Sequence, residues 1–165
     1  GRETYHRVLI AASTARDGDA FDRVLGELRR SGHGFVPKTV HVCVRAYVDA
    51  GDLPRALDIY EEAVAGGVEV RRGTLNVLSN GVLEAPELPV DRPALARAVE
   101  ATAAVDHDTS RDLARRATAR LESYAAEEAA RAAAAIAESS SEGEMSEGDE
   151  SGEESEAEEE STSSG

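Results

Sequence analysis

The sequence predicts an all-α protein: an α-solenoid of helix-turn-helix repeats with a 35-residue period, then a C-terminal helix and a disordered acidic tail. Three observations predict it. Thr4, Thr39 and Thr74 stand 35 residues apart, as do His6 and His41 (with Asn76 third), Ala15 and Ala50, Asp17 and Asp52, Glu27 and Glu62, and Gly32 and Gly67. Within each unit the apolar residues recur at helical spacing. From Glu138 onward the chain holds only Ser, Glu, Gly, Asp, Thr, Ala and one Met, with 12 acidic and no basic residues.

Each element follows from local pattern. Thr4 to Ala15 reads as a helix with Val8, Leu9, Ala11, Ala12 and Ala15 on its apolar side, and Asp17-Gly18-Asp19 as the turn after it. Phe21, Val24, Leu25 and Leu28 fall at i, i+3, i+4 and i+7, one face of a second helix that Ser31-Gly32 ends. The next unit repeats the plan. Thr39 to Ala50 carries Val40, Cys43, Val44, Tyr47 and Val48, Gly51-Asp52 turns the chain, and Asp52 is the expected N-cap with Pro54 in the first turn. Ala56, Ile59, Tyr60 and Ala63 take the places of Phe21, Val24, Leu25 and Leu28, and the smaller side chains predict close helix approach. A third unit starts in register at Thr74 and then drifts. Pro86, Pro89 and Pro93 break the pattern between Glu84 and Pro93, and another helix is predicted from Asp91 to Val105. Thr109-Ser110-Arg111-Asp112 reads as a variant capping box that opens a long Ala-rich helix to Ala137, with Leu113, Ala117, Leu121 and Tyr124 as its thin apolar stripe. The domain reading is therefore repeats over 1–84, a degenerate repeat and capping helix over 85–137, and a disordered tail over 138–165.

The net charge of −15 belongs mainly to the tail, which contributes −12. Residues 1–73 hold 11 basic and 11 acidic groups, so any affinity for nucleic acid by this stretch alone is expected to be weak. Cys43 is the only cysteine, which rules out a disulfide within the chain and reads as a core residue. No run of 18 apolar residues occurs, and no signal or transit segment is visible. The chain opens on Gly-Arg-Glu in the middle of a repeat phase, so it is expected to be part of a longer protein. No acid/base pair, nucleophile constellation, phosphate loop or metal-ligand set is present in the pattern; no cofactor and no enzymatic activity are expected. Arg29-Arg30, Arg71-Arg72 and Arg115-Arg116 are candidate phosphate contacts or surface pairs. Ser139, Ser141, Ser146, Ser151 and Ser155 each have an acid three residues on, a pattern acidophilic kinases prefer.

Residues 39–73 resemble the pentatricopeptide repeat at Thr39, Tyr47, Ala50-Gly51, Leu53, Arg55-Ala56-Leu57, Tyr60-Glu61-Glu62 and Gly67-Val68. Residues 4–38 are similar at Thr4-Tyr5, Val8-Leu9, Ala15, Glu27-Leu28 and Gly32, and the 35-residue phase distinguishes this family from tetratricopeptide repeats of period 34. The resemblance implies binding of single-stranded RNA in a chloroplast or mitochondrion, in transcript processing, stability or translation, with about one base read per repeat. It places the first base-reading position at His6, His41 and Asn76 and the second at Val36 and Arg71. Asn76 fits the combinations the family favours, and the other four depart from them. The second reading is a protein–protein interaction scaffold built on the same helices.

Overall fold

The computed structural model describes residues 1–143, with side chains described to residue 140. Their regular structure is helical throughout: α1 (Arg2–Thr14), α2 (Gly18–Arg30), α3 (Pro37–Asp49), α4 (Leu53–Ala65), α5 (Arg72–Glu84), α6 (Arg92–Ala103) and α7 (Asp108–Gly143). No described helix is long and apolar enough to cross a membrane. The chain divides into two compact units, Gly1–Ala126 and a second beginning at Glu127.

The helices start where local chemistry allows. Asp17, Asp52 and Asp91 cap α2, α4 and α6, each accepting from a backbone N–H three residues on at 3.0, 3.2 and 3.1 Å. Pro37, Pro54 and Pro93 lie in first turns, where a missing N–H costs nothing. By contrast α1, α3 and α5 begin without a side-chain cap, and start at Arg2, Pro37 and Arg72, two residues before the three periodic threonines. The drift expected in the third unit is present: α6 begins at Arg92, four residues later than the spacing of α2 and α4 would place it.

Helix ends follow one scheme. After α3, Gly51 takes a left-handed φ of 75° and Asp52 N–H closes on Tyr47 C=O at 2.8 Å. Gly67, at φ 72°, does the same after α4, with Val68 N–H on Ala63 C=O at 2.9 Å. After α1 that conformation falls on Arg16 (φ 53°), the one left-handed residue described that is not glycine, with Asp17 N–H on Ala12 C=O at 3.0 Å. The turn thus lies one step earlier than the Asp17-Gly18-Asp19 reading, and Gly18 is already helical.

The helices α1, α3 and α5 pack in succession, each also on the second helix of its own hairpin, and α4 reaches both α5 and α6. Leu9, Val40, Val44, Ala56, Leu57, Ile59 and Leu78 fill the interior. Most of the expected apolar faces are buried as read. Val8, Ala11 and Ala15 are not: all three are exposed, Val8 at 42%, because Leu9 and Ala12 carry the contact face of α1. Ala56 and Ala63 are fully buried, and a close approach lies where α5 meets the second hairpin. A Cβ at Gly81 would stand 3.1 Å from Leu53 Cδ1 and 3.3 Å from Val48 Cγ1.

The long helix α7 closes this arrangement. Leu113, Ala114 and Ala117 are buried, and Arg120 donates to the carbonyls of Val82 (3.0 Å) and Ala85 (2.5 Å) at the end of α5. That end lacks the glycine turn of α3 and α4, since Ala85 precedes Pro86 and is extended. The guanidinium supplies donors its carbonyls would otherwise lack. Asp112 pairs with Arg116 at 3.2 Å.

Two expectations for α7 are corrected. The capping box does not form: the helix already starts at Asp108, Arg111 N–H bonds to His107 C=O, and the Ser110 hydroxyl is drawn inward to Asn76. The helix also continues to Gly143 rather than ending at Ala137, so Glu138–Gly143 is helical and not part of a disordered tail. Once nucleated, an Ala-rich helix extends cheaply, and no Pro or Gly precedes Gly143 after the run Ala132–Ala135. Residues 144–165, with Ser146, Ser151 and Ser155, lie outside the described residues. In the second unit residues 127–140 are exposed, Ile136 among them at 68%, and Glu127–Arg131 pairs at 3.5 Å.

A left-handed non-glycine residue costs about 1–2 kcal/mol, partly offset because glycine is freer in the unfolded chain. Arg16→Gly is therefore expected to stabilise the protein by about 0.5–1 kcal/mol. Urea unfolding checks this, and an unchanged midpoint would show that Arg16 is compensated by its surroundings.

Candidate nucleic-acid interface

The five residues given a recognition role divide into two geometries. His6, His41 and Asn76 sit half-buried on α1, α3 and α5, one per helix. Each reaches a hydroxyl on the next helix of the row. His6 Nδ1 lies 3.4 Å from Thr39 Oγ1, His41 Nδ1 is hydrogen-bonded to Thr74 Oγ1 at 3.0 Å, and Ser110 Oγ donates to Asn76 Oδ1 at 2.8 Å. Thr39, Thr74 and Ser110 are 2%, 0% and 0% exposed, so their hydroxyls depend on protein partners. Thr4, at the same phase, is exposed. The periodic threonine is thus the receiving half of a rung between neighbouring helices. Burial, followed by the charges of Arg45 and Arg71, holds the His41 imidazole below its usual pKa. The ring is neutral at pH 7, and a neutral ring is a suitable partner for a hydroxyl.

Val36 and Arg71 are the residues before the first turns of α3 and α5, both with extended backbone. Together with Arg2, Glu3, Pro37 and Lys38 they line a cavity of about 350 Å³. The fold therefore gathers the two second-position residues in one cavity and distributes the three first-position residues along a row beside it. Arg2 and Lys38 escaped the sequence reading. Their signal was the recurrence of a basic residue in the first turn of every first helix, which no motif advertises.

One member of the first arginine pair and both of the third have their charges engaged elsewhere. Arg29 makes a bidentate pair with Glu62, Nε–Oε1 at 3.3 Å and Nη2–Oε2 at 2.7 Å. Arg115 and Arg116 both pair with Asp112. Arg71 and Arg72 have no acidic partner among the described residues.

On the other side of the hairpins, Asp22 binds two side chains at once. Tyr47 Oη donates to Asp22 Oδ1 and Arg55 Nη1 to Asp22 Oδ2, both at 2.7 Å. Phe21 meets the Tyr47 ring edge-on at 5.5 Å, and the Arg55 guanidinium lies 5.8 Å from that ring's centre. Desolvation works against ionised Asp22, but the bonds from Tyr47 and Arg55 outweigh it and hold the carboxyl below its ordinary range. Desolvation, then the same hydrogen bond, pushes the Tyr47 phenol well up. The cluster joins α2, α3 and α4, with both carboxylate oxygens engaged. Cys43 is fully buried, and that burial pushes its thiol up to about 12, the opposite of an activated nucleophile. Among the described residues no group of three or more potential metal ligands comes together.

Compared with known proteins, the chain matches no family model, no curated protein and no solved structure. The class its fold defines is that of an all-α protein with helical-repeat character.

Removing a buried hydroxyl that bonds to a neighbour costs about 0.5–1.5 kcal/mol. Thr74→Val is expected to destabilise by that amount and Thr4→Val by almost nothing, as read from urea midpoints. Equal effects would mean that the hydroxyl rung contributes no stability. A second expectation concerns acid. Because folding lowers the Asp22 pKa, its contribution is fully present above the unfolded value near ~4 and is lost as pH falls through the folded value. The stability gap between the wild type and Asp22→Asn should therefore narrow as unfolding is measured from pH 7 down to the acid range; a constant gap would show that ionisation of Asp22 is immaterial.

Proposed function

We propose that this chain is part of a pentatricopeptide-type RNA-binding protein, an α-solenoid acting on organellar transcripts in their processing, stability or translation. The observation that carries the reading is the segregation of charge between the two sets of helices. With their preceding residues, α1, α3 and α5 hold six basic groups (Arg2, Arg7, Lys38, Arg45, Arg71, Arg72) and three acidic ones (Glu3, Asp49, Glu84). With their caps, α2, α4 and α6 hold six basic and ten acidic groups. A stretch that is neutral in sum therefore offers a cationic side to a polyanion. The starts of α1, α3 and α5, and of α2 and α4, support the 35-residue unit behind the resemblance.

The alternative is a protein–protein scaffold. Its support is a groove of about 700 Å³ between the first two hairpins, with the buried Phe21 and Tyr47 in its wall and Asp17, Asp22, Asp49 and Asp52 outnumbering Arg16 and Arg55 along it. A basic peptide suits that chemistry.

Ultraviolet crosslinking in cells, followed by mass spectrometry of nucleotide-bearing peptides, separates the two. RNA adducts on α1, α3 or α5 are expected. Recovery of crosslinks to protein alone, with none to RNA, would replace this reading by the scaffold. In vitro, the affinity of this chain for single-stranded RNA is expected to be micromolar or weaker at physiological salt, because few phosphates are neutralised.

A further inference from the structure

We propose that the cavity lined by Arg2, Glu3, Val36, Pro37, Lys38 and Arg71 is a phosphate site that holds the backbone of single-stranded RNA, and that the strand is held there without selection among bases. The source of the phosphate rests on the RNA reading above; the chemistry of the cavity does not.

The first argument is charge. Three cations and one carboxylate line about 350 Å³, leaving two positive charges uncompensated. Glu3 is committed to Lys38, with Nζ–Oε2 at 2.7 Å. Arg2 Nη2 donates to the carbonyl of His33 at 2.9 Å, which steadies the guanidinium and leaves its other N–H groups available. Arg71 has no acidic partner among the described residues. A cation cluster of this kind gains most from a ligand with several anionic oxygens, and guanidinium groups match phosphate geometry well.

The second argument is what the cavity lacks. Where α2, α4 and α6 start, an aspartate occupies the N–H groups of the first turn. Val36 and Arg71, which precede α3 and α5 at the cavity, supply no such carboxylate. Pro37 has no N–H, and Thr39 N–H is taken by the Val36 carbonyl, so the amide that α3 adds to the side chains here is that of Lys38, with no internal anion on it.

The third argument concerns selectivity. Base discrimination needs side chains free to meet base edges. His6, His41 and Asn76 lie along the neighbouring row, with Nδ1 of each ring and Oδ1 of the amide facing Thr39, Thr74 and Ser110, which fixes how each side chain is turned. Turning one toward a base would leave a buried hydroxyl without its partner. The cations, by contrast, meet a group that every nucleotide carries.

The test uses the full chain, fluorescent oligouridylate and oligoadenylate of equal length, and inorganic tripolyphosphate. Amide NMR spectra are recorded in parallel, and circular dichroism confirms that Arg71→Gln and Arg2→Gln remain folded. The two RNAs are expected to bind within about threefold of each other. Each substitution should weaken both by roughly three- to tenfold and lower the salt slope by about one. Tripolyphosphate should displace the RNA and shift the amides of Val36, Lys38 and residues 71–73. The proposal is overturned if Arg71→Gln and Arg2→Gln leave RNA binding intact while tripolyphosphate leaves those amides unmoved. It is equally overturned by a strong preference for one RNA that His41→Ala abolishes. If tripolyphosphate shifts the amides and neither RNA binds, the phosphate site stands and the RNA reading fails.

Discussion

A two-helix hairpin has too little interior to satisfy its own apolar face, and the rest of this structure depends on that shortage. The remedy is the next hairpin. Leu9, Val40, Val44 and Leu78 become fully buried only because α1, α3 and α5 lie against one another. Apolar contact alone would leave the helices free to slide, since it has little direction. Direction comes from polar groups that meet at fixed offsets. The Asp22 carboxylate takes Tyr47 and Arg55 on separate oxygens, Arg29 grips Glu62 in a fork, and each periodic hydroxyl finds a ring nitrogen or amide oxygen on the preceding helix. These bonds are individually modest, particularly the exposed ion pairs. Their role is to make a single register cheaper than its neighbours.

The same division of labour separates the two sides of the hairpins. Aspartates start the second helices and so accumulate there with the acids of α4. The first helices start without them and carry Arg2, Lys38, Arg71 and Arg72 instead. A difference in how helices are capped thereby becomes a difference in surface potential. At the far end Arg120 does for α5 what a glycine does for α3 and α4, meeting the last carbonyls from another helix. The stretch of α7 that lies in the first unit is thus a covering element with a specific hold, not only an apolar lid.

Much of this was legible in the sequence because it is repetitive and local. Asp52 and Pro54 announced a helix start, Gly51 and Gly67 announced helix ends, and Phe21, Leu25 and Leu28 fell on one face. What was missed depends on contacts between distant residues. Val8 has the pattern of a core residue, yet the contact face of α1 falls on Leu9 and Ala12. Thr109 has the pattern of a cap, yet the helix starts before it and the neighbouring Ser110 gives its proton to the half-buried Asn76. Arg16 occupies a glycine's conformation, which only the alignment of one unit on the next could have suggested. Arg2, Val36, Lys38 and Arg71 are separated by up to 69 positions and become neighbours only when the hairpins stack.

The rungs from His41 to Thr74 and from Asn76 to Ser110 have an implication for how such a chain changes over generations. Each hairpin offers a hydroxyl to the one before it and a ring or amide to the one after, so every hairpin carries both halves of one connector. A whole hairpin can be duplicated, removed or exchanged without leaving an unmatched half in the interior. A deletion of three or four residues between His41 and Thr74, by contrast, would set the two halves of that rung out of step and leave the Thr74 hydroxyl unmatched. The spacing of the connectors makes the intact hairpin the natural unit of inheritance.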